Sequence, residues 1–320
     1  MEKDKQQTVP NVLKRLALLL GTELKNKRLE IPEKFGKGYC TGFVFNEHIR
    51  MLISNYELNE DIIIKNPDLQ TSKRMIFFKF QNIFPKSEIV STKKHLMEMP
   101  SVLVATSSMN TDDVISIHTN TEVINIEVDA NYLNGLFNFS EKSPVLQSLL
   151  QNTQPLLFEQ LIYPSLQRIV DEIIAEPVDE TFELFFLRVK AEELICRLLM
   201  ELEKRDEKHL YPLNSRDILS LYKIKEQMLE HPETPPVIKK LAESANMSPT
   251  KLKRLFRQIF GNSIFSYYQE FRMKEAARLL KEEKLSVSDV GYVLGFTNLS
   301  HFSRVFNEHV GMKPKQYSRS

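Results

Sequence analysis

Two spacings of apolar residues divide the chain. From about Tyr39 to Val128, apolar and polar side chains alternate: in EVINIEV, Ile124, Ile126 and Val128 are interleaved with Asn125 and Glu127, as in a strand with one covered face. SVLVATS, VISIH and MIFFKF read the same way, the last with Phe78 and Phe80 on one side and Phe77 and Lys79 on the other. Turn formers, Asn66-Pro67-Asp68 and Asn110-Thr111-Asp112-Asp113, separate these runs. Short strands in succession predict a small barrel or sandwich.

After Asn131 the period lengthens to that of a helix, over residues 155–176 and again over 180–208. In the second of these, Phe182, Phe186 and Val189 share one face, while Leu184, Leu187, Ala191, Leu194 and Leu198 share another. A helix apolar on two sides needs two covers: both come from its own domain, or one comes from a second subunit, for which the Leu184 to Leu198 group is the predicted dimerisation face. Charged and turn-forming residues then take over in EKRDEKHLYPLNSRD, residues 203–217. The predicted organisation is an N-terminal domain over 1–210, with strands about 39–128 and helices about 131–208, a linker at 211–217, and an all-α domain over 218–320. The fold class is α+β multidomain.

In the last part, helices are predicted at 218–230, 236–245, 249–260, 263–283, 286–294, 299–310 and 314–319. Pro249 and Pro314 fall in first turns, and Gly261 and Gly311 lie just past helix ends. An internal repeat organises this region. Leu241-Ala242 corresponds to Val290-Gly291, Met247 to Phe296, Leu252 to Phe302, Phe256 to Phe306, Gly261 to Gly311 and Tyr267 to Tyr317. The interval is 49 residues before the turn and 50 after it, so the second copy carries one extra turn residue. Each copy is a helix, a tight turn and a second helix, at 236–260 and 286–310. Ala242 and Gly291 are small where two helices must cross.

Charge sharpens the picture. The chain's +1 conceals an asymmetry: residues 216–320 hold 18 Lys and Arg against 11 Asp and Glu, a net of +7, and the rest carries −6. In the first copy, Thr250, Lys251, Lys253, Arg254 and Arg257 point outward with no acid from Lys251 to Arg257. Soluble helices usually intersperse signs, and uncompensated cations on the second helix of a helix-turn-helix suit a DNA groove. The second copy presents Ser300, His301, Ser303, Arg304 and Asn307, side chains that hydrogen-bond to base edges and phosphate oxygens. A connecting helix from Ser263 to about Lys284 would extend roughly 33 Å, against about 34 Å between successive major-groove faces.

The runs LAESANMSPTKLKRLFRQIFGNS, FRMKEAARLL and VGYVLGFTNLSHFSRVFNEHVGMKPKQY together resemble the AraC/XylS family of bacterial transcription regulators over about the last hundred residues. The resemblance implies a sequence-specific binder of double-stranded DNA with recognition helices at 249–260 and 299–310 and a rigid helix between them. By position, Thr250, Lys253 and Arg254 look like base readers, with Lys251 and Arg257 on phosphates; Ser300, His301, Ser303 and Arg304 take the corresponding places. Arg272 and Arg278 look structural or phosphate-facing. The resemblance further implies a cupin-like β-barrel followed by helices, a small-molecule effector, a homodimer, contact with RNA polymerase, and action as an activator.

Other classes have less support. Phe43, Phe45, Phe77, Phe78 and Phe80 could line an apolar cavity, and filling a core is the commoner use of such residues. His48, His95 and His118 lack metal-ligand spacing, so neither a metal nor a cofactor is expected. No phosphate loop, Ser-His-Asp grouping or HExxH motif is present. A DNA-repair methyl acceptor would need an activated thiolate; Cys40 lies in a predicted strand and Cys196 in an apolar helical stripe, both read as core thiols in a reducing cytoplasm. No stretch approaches the roughly 18 apolar residues of a membrane span. A regulator whose N-terminal domain only dimerises, or binds another protein, is the alternative to ligand control.

Overall fold

The computed structural model describes residues 9–60, 62–65, 74–84, 100–107, 114–117, 120–137, 143–205, 207 and 209–319. The turns expected at 66–68 and 110–113 lie outside them, as do His95 and His118. The chain divides into two compact units at Leu213 and Asn214.

The N-terminal unit opens with α1 (Asn11–Leu20), followed by β1 (Arg28–Glu30), β2 (Gly36–Val44), β3 (Ile49–Leu58), β4 (Ile62–Lys65), β5 (Met75–Gln81), β6 (Ser101–Thr106), β7 (Val114–Ile117) and β8 (Asn120–Asp129). Then come α2 (Ala130–Leu136), α3 (Pro144–Gln151), β9 (Leu157–Leu161), α4 (Pro164–Ala175) and α5 (Glu180–Glu203). Seven strands form one antiparallel sheet in the order β1-β2-β3-β8-β5-β6-β9, and β4 pairs with β7 separately. Among the described residues no pairing joins β1 to β9, so the sheet is open and the expected cupin-like barrel does not close. Helices cover what a barrel would have enclosed. One row, Phe43, Met51, Ile126, Phe78, Val104 and Phe158, runs in register across six strands and forms a single core with residues of α2 to α5. The other face, at β1 to β3, is closed by Leu13, Leu16, Ala17 and Leu20 of α1. Gly42 admits that helix: a Cβ there would lie 2.8 Å from Pro10 Cδ.

Phe43, Phe45, Phe78 and Phe80 are buried core and Phe77 is half-buried on the opposite face. Residues 155–176, read as one helical stretch, are instead a strand and a helix. LFEQL pairs with β6 as an edge strand, and Pro164 starts α4 at its first position; a short apolar run does not by periodicity distinguish a buried strand from a helix.

The C-terminal unit is helical: α6 (Ser215–Glu230), α7 (Ile238–Ser244), α8 (Pro249–Phe260), α9 (Ile264–Lys281), α10 (Val287–Val293), α11 (Leu299–Val310) and α12 (Pro314–Tyr317). Helix α6 begins earlier than its apolar pattern indicates because the Asn214 side chain accepts the Asp217 N–H, satisfying a donor the first turn leaves open. Leu213, just before it, is buried and donates its N–H to the Pro155 carbonyl at 3.2 Å. The expected linker at 211–217 is therefore shared between the two units.

Candidate nucleic-acid interface

The two helix-turn-helix copies agree down to their turn bonds. Met247 N–H donates to the Ala242 carbonyl at 3.0 Å, and Phe296 N–H donates to the Gly291 carbonyl at 2.9 Å. Asn246 and Gly295 hold the left-handed turn position, with φ of 52° and 76°. At Gly295 a side chain has no room, since a Cβ would meet the Glu233 carbonyl oxygen at 2.3 Å. Recognition helices α8 and α11 start at matched caps: Ser248 accepts the Lys251 N–H, and Asn298 accepts the His301 N–H. The extra residue of the second copy is Thr297, between the turn and its cap. Where the paired helices cross, a Cβ on Gly291 would sit 2.6 Å from Leu299 Cδ2.

Buried side chains aim each recognition helix. Leu252, Leu255, Phe256, Ile259 and Phe260 turn α8 inward, as Phe302, Val305 and Phe306 turn α11; each such side chain contributes roughly 1.5–3 kcal/mol of burial. Phe256 meets Tyr267 edge-on with centroids 5.6 Å apart, and Phe306 meets Tyr317 at 5.5 Å, so the repeat includes the helix that follows each copy. Helix α9 carries both. Its start packs on α8 through Tyr267, and Met273, Ala276, Leu279 and Leu280 share a core with α10 and α11. At 18 residues it is about 27 Å long, about a turn shorter than expected, because the helix ends at the Glu282 cap and Lys284 has a left-handed φ of 53°.

On the outward faces, Thr250, Lys253, Arg254 and Arg257 of α8 are exposed, as are Ser300, His301, Arg304 and Asn307 of α11; Ser303 is half-buried. Lys251 departs from expectation. It is half-buried, and its ammonium lies 2.8 Å from Asp217 Oδ1 on α6. Arg304 has Glu308 one turn on, with Nε and Oε1 at 4.0 Å, an exposed pair of small worth. His301 stands edge-on to Phe296 at 5.7 Å.

Arg272 and Arg278 are structural. Arg272 is buried, donates to the Leu294 carbonyl and to Gln269 Oε1 (2.6 Å), and its guanidinium lies 4.0 Å from the Phe296 ring centroid. Burial lowers its pKa from the ordinary value. It ties the middle of α9 to the turn of the second copy, while Tyr268 Oη donates to the Pro232 carbonyl at 2.6 Å. Arg278 is clasped by Glu275 and Glu283, which hold its pKa above the usual range.

A family model described as a helix-turn-helix domain matches residues 241–320. The arabinose operon regulatory protein of Escherichia coli K12 is 34% identical over 80 residues, 25% of this chain and 27% of that protein. The transcriptional activator RhaR of Escherichia coli O1:K1 / APEC is 30% identical over 134 residues, 41% of this chain and 47% of that protein. Over residues 241–320 the chain is similar to AraC-type regulators of transcription. The transcriptional regulator GlxA of Rhizobium meliloti is 35% identical over 79 residues, 25% of this chain. These matches span from 24% to 47% of the curated relatives' own length. A solved AraC-type regulator from Chromobacterium violaceum shares 27% identity over 33% of this chain and 95% of its own, at a TM-score of 0.31.

Outside the AraC-type domain, the dimerisation face needs correcting. Leu187, Ala191, Leu194 and Leu198 are buried in the core of their own unit and Leu184 packs half-buried against it, so they are unavailable to a partner. The exposed stripe of α5 is Phe182 (63% exposed), Phe185 (69%), Val189 (43%) and Met200 (60%). Cys196 is exposed on this helix rather than buried. Cys40 is buried beside Ser54, its Sγ 3.4 Å from Oγ, and desolvation pushes its thiol up to about 12, the reverse of an activated thiolate. Among the described residues no group of three or more His, Cys, Asp and Glu is placed to hold a metal ion, and no helix is long and apolar enough to cross a membrane.

Proposed function

We propose that this chain is a sequence-specific DNA-binding transcription regulator in which α8 and α11 enter neighbouring major grooves of one duplex. The observation that carries the reading is the duplicated unit: two recognition helices, matched in cap, turn and core, packed on one helix, with cationic and hydrogen-bonding side chains outward. Thr250, Lys253 and Arg254, with Ser300, His301, Ser303 and Arg304, are the base readers in this reading; Arg257 and Asn307 lie toward the backbone. Arg and Lys suit guanine edges, and short hydroxyl side chains adapt to several bases.

The N-terminal unit supplies control. Homodimerisation through the exposed α5 stripe is supported by four large apolar side chains on one side of a helix whose other side is already covered. In this reading the chain is an activator, as the name of RhaR describes that relative, with a small-molecule effector at the N-terminal unit and RNA polymerase as its partner. The test is selection of bound duplexes from a random pool by the full-length protein. The expected product is a site of two boxes one helical turn apart, repeated for a dimer. A single short box, or no enrichment, defeats the reading.

A further inference from the structure

We infer that Asp217 is a positioning residue for the first recognition helix: its carboxylate holds the Lys251 ammonium off the DNA backbone and so lowers affinity that does not depend on sequence. The inference rests on the DNA-binding reading above.

Asp217 is 34 residues from Lys251 and on a different helix, yet Lys251 Nζ donates to its Oδ1 at 2.8 Å. The two side chains are unequal. Asp217 is 11% exposed and Lys251 40% exposed. The other carboxylate oxygen, Oδ2, accepts from Asn214 Nδ2 at 2.9 Å, and the Asp217 N–H donates back to Asn214 Oδ1 at 2.8 Å. The carboxylate is thus locked into the cap of α6, at a helix N-terminus that favours negative charge. The ammonium is the member with freedom to leave.

Lys251 sits in the first turn of α8, the end of a recognition helix that approaches the duplex. A cation there gains nothing from its own helix dipole, so Asp217 is the group that keeps it in place. Against DNA, Lys251 has two choices. Staying on Asp217 forfeits one phosphate contact, and leaving strands a buried carboxylate, which is costly. Either way Asp217 opposes attraction to the backbone while leaving Lys253 and Arg254 to read bases. The second copy has His301 in the equivalent place, against Phe296 rather than a carboxylate, so the device is confined to the first.

The test uses the full-length protein with two duplexes, one selected from the random pool and one scrambled. Asp217→Asn is expected to tighten both alike, by about fivefold at 0.15 M salt, and to steepen log K against log salt by roughly 0.9, the worth of one phosphate. Lys251→Gln is expected to flatten that slope by roughly 0.9 in the Asp217→Asn background and by clearly less in the native one. Asp217→Ser, which also removes the charge, serves where Asp217→Asn disturbs α6, as thermal melting would show. An unchanged slope in both Asp217 variants, weaker binding to both duplexes, or equal flattening by Lys251→Gln in both backgrounds overturns the inference alone. Absence of salt-dependent binding by the native chain to either duplex overturns the DNA-binding reading with it.

Discussion

Arg254 and Arg304 stand 50 residues apart at the same place in the two copies, and both are exposed, each followed in sequence by a buried residue, Leu255 and Val305. A bidentate arginine on a guanine edge contributes about 1–3 kcal/mol of discrimination. Replacing either with Ala is therefore expected to compress the affinity range among operator variants by about that amount, as measured by competition binding. An unchanged ranking of variants would remove the residue from base reading. Asp217 and Arg272 show what single residues conceal. Nothing in the local sequence pairs Asp217 with a lysine 34 positions on, and the resemblance left Arg272 either structural or phosphate-facing until packing showed it buried.

At the scale of elements, apolar side chains show that a face will be covered and leave open what covers it. The two apolar sides of α5 are visible in its spacing, but the division between them follows from packing: the Leu187 side fills the sheet's core and the Phe182 and Phe185 side is exposed. Phe185→Glu is accordingly expected to shift the protein toward monomer in sedimentation equilibrium while leaving its melting temperature nearly unchanged, since Phe185 is 69% exposed in the single chain. A dimer that persists would relocate the interface. The edge strand β9 was illegible for a related reason, because five residues do not establish a period and pairing with β6 decided the matter. Recognition helices α8 and α11 were legible to the residue because Pro249, Gly261 and Gly311 mark their ends.

For the whole molecule, the charge asymmetry places +7 in residues 216–320, and attraction to a polyanion follows that segregation. A fragment of residues 214–320 is expected to bind the selected duplex more weakly than the full chain and with no response to compounds that raise the full chain's melting temperature. Gel-shift titration checks both points; a fragment with no affinity at low salt would mean that the AraC-type domain depends on the other unit.

The duplicated two-helix unit and the basic outward face of its first copy are properties of the sequence by itself. Turn, cap and small-residue positions act within a few residues, and the repeat brings each signal twice. The open sheet, the covered side of α5, the clasp of Arg272 on the second turn and the hold of Asp217 on Lys251 belong to the tertiary structure. Each depends on groups far apart in the chain, which become neighbours only when burial of apolar side chains brings their helices and strands together.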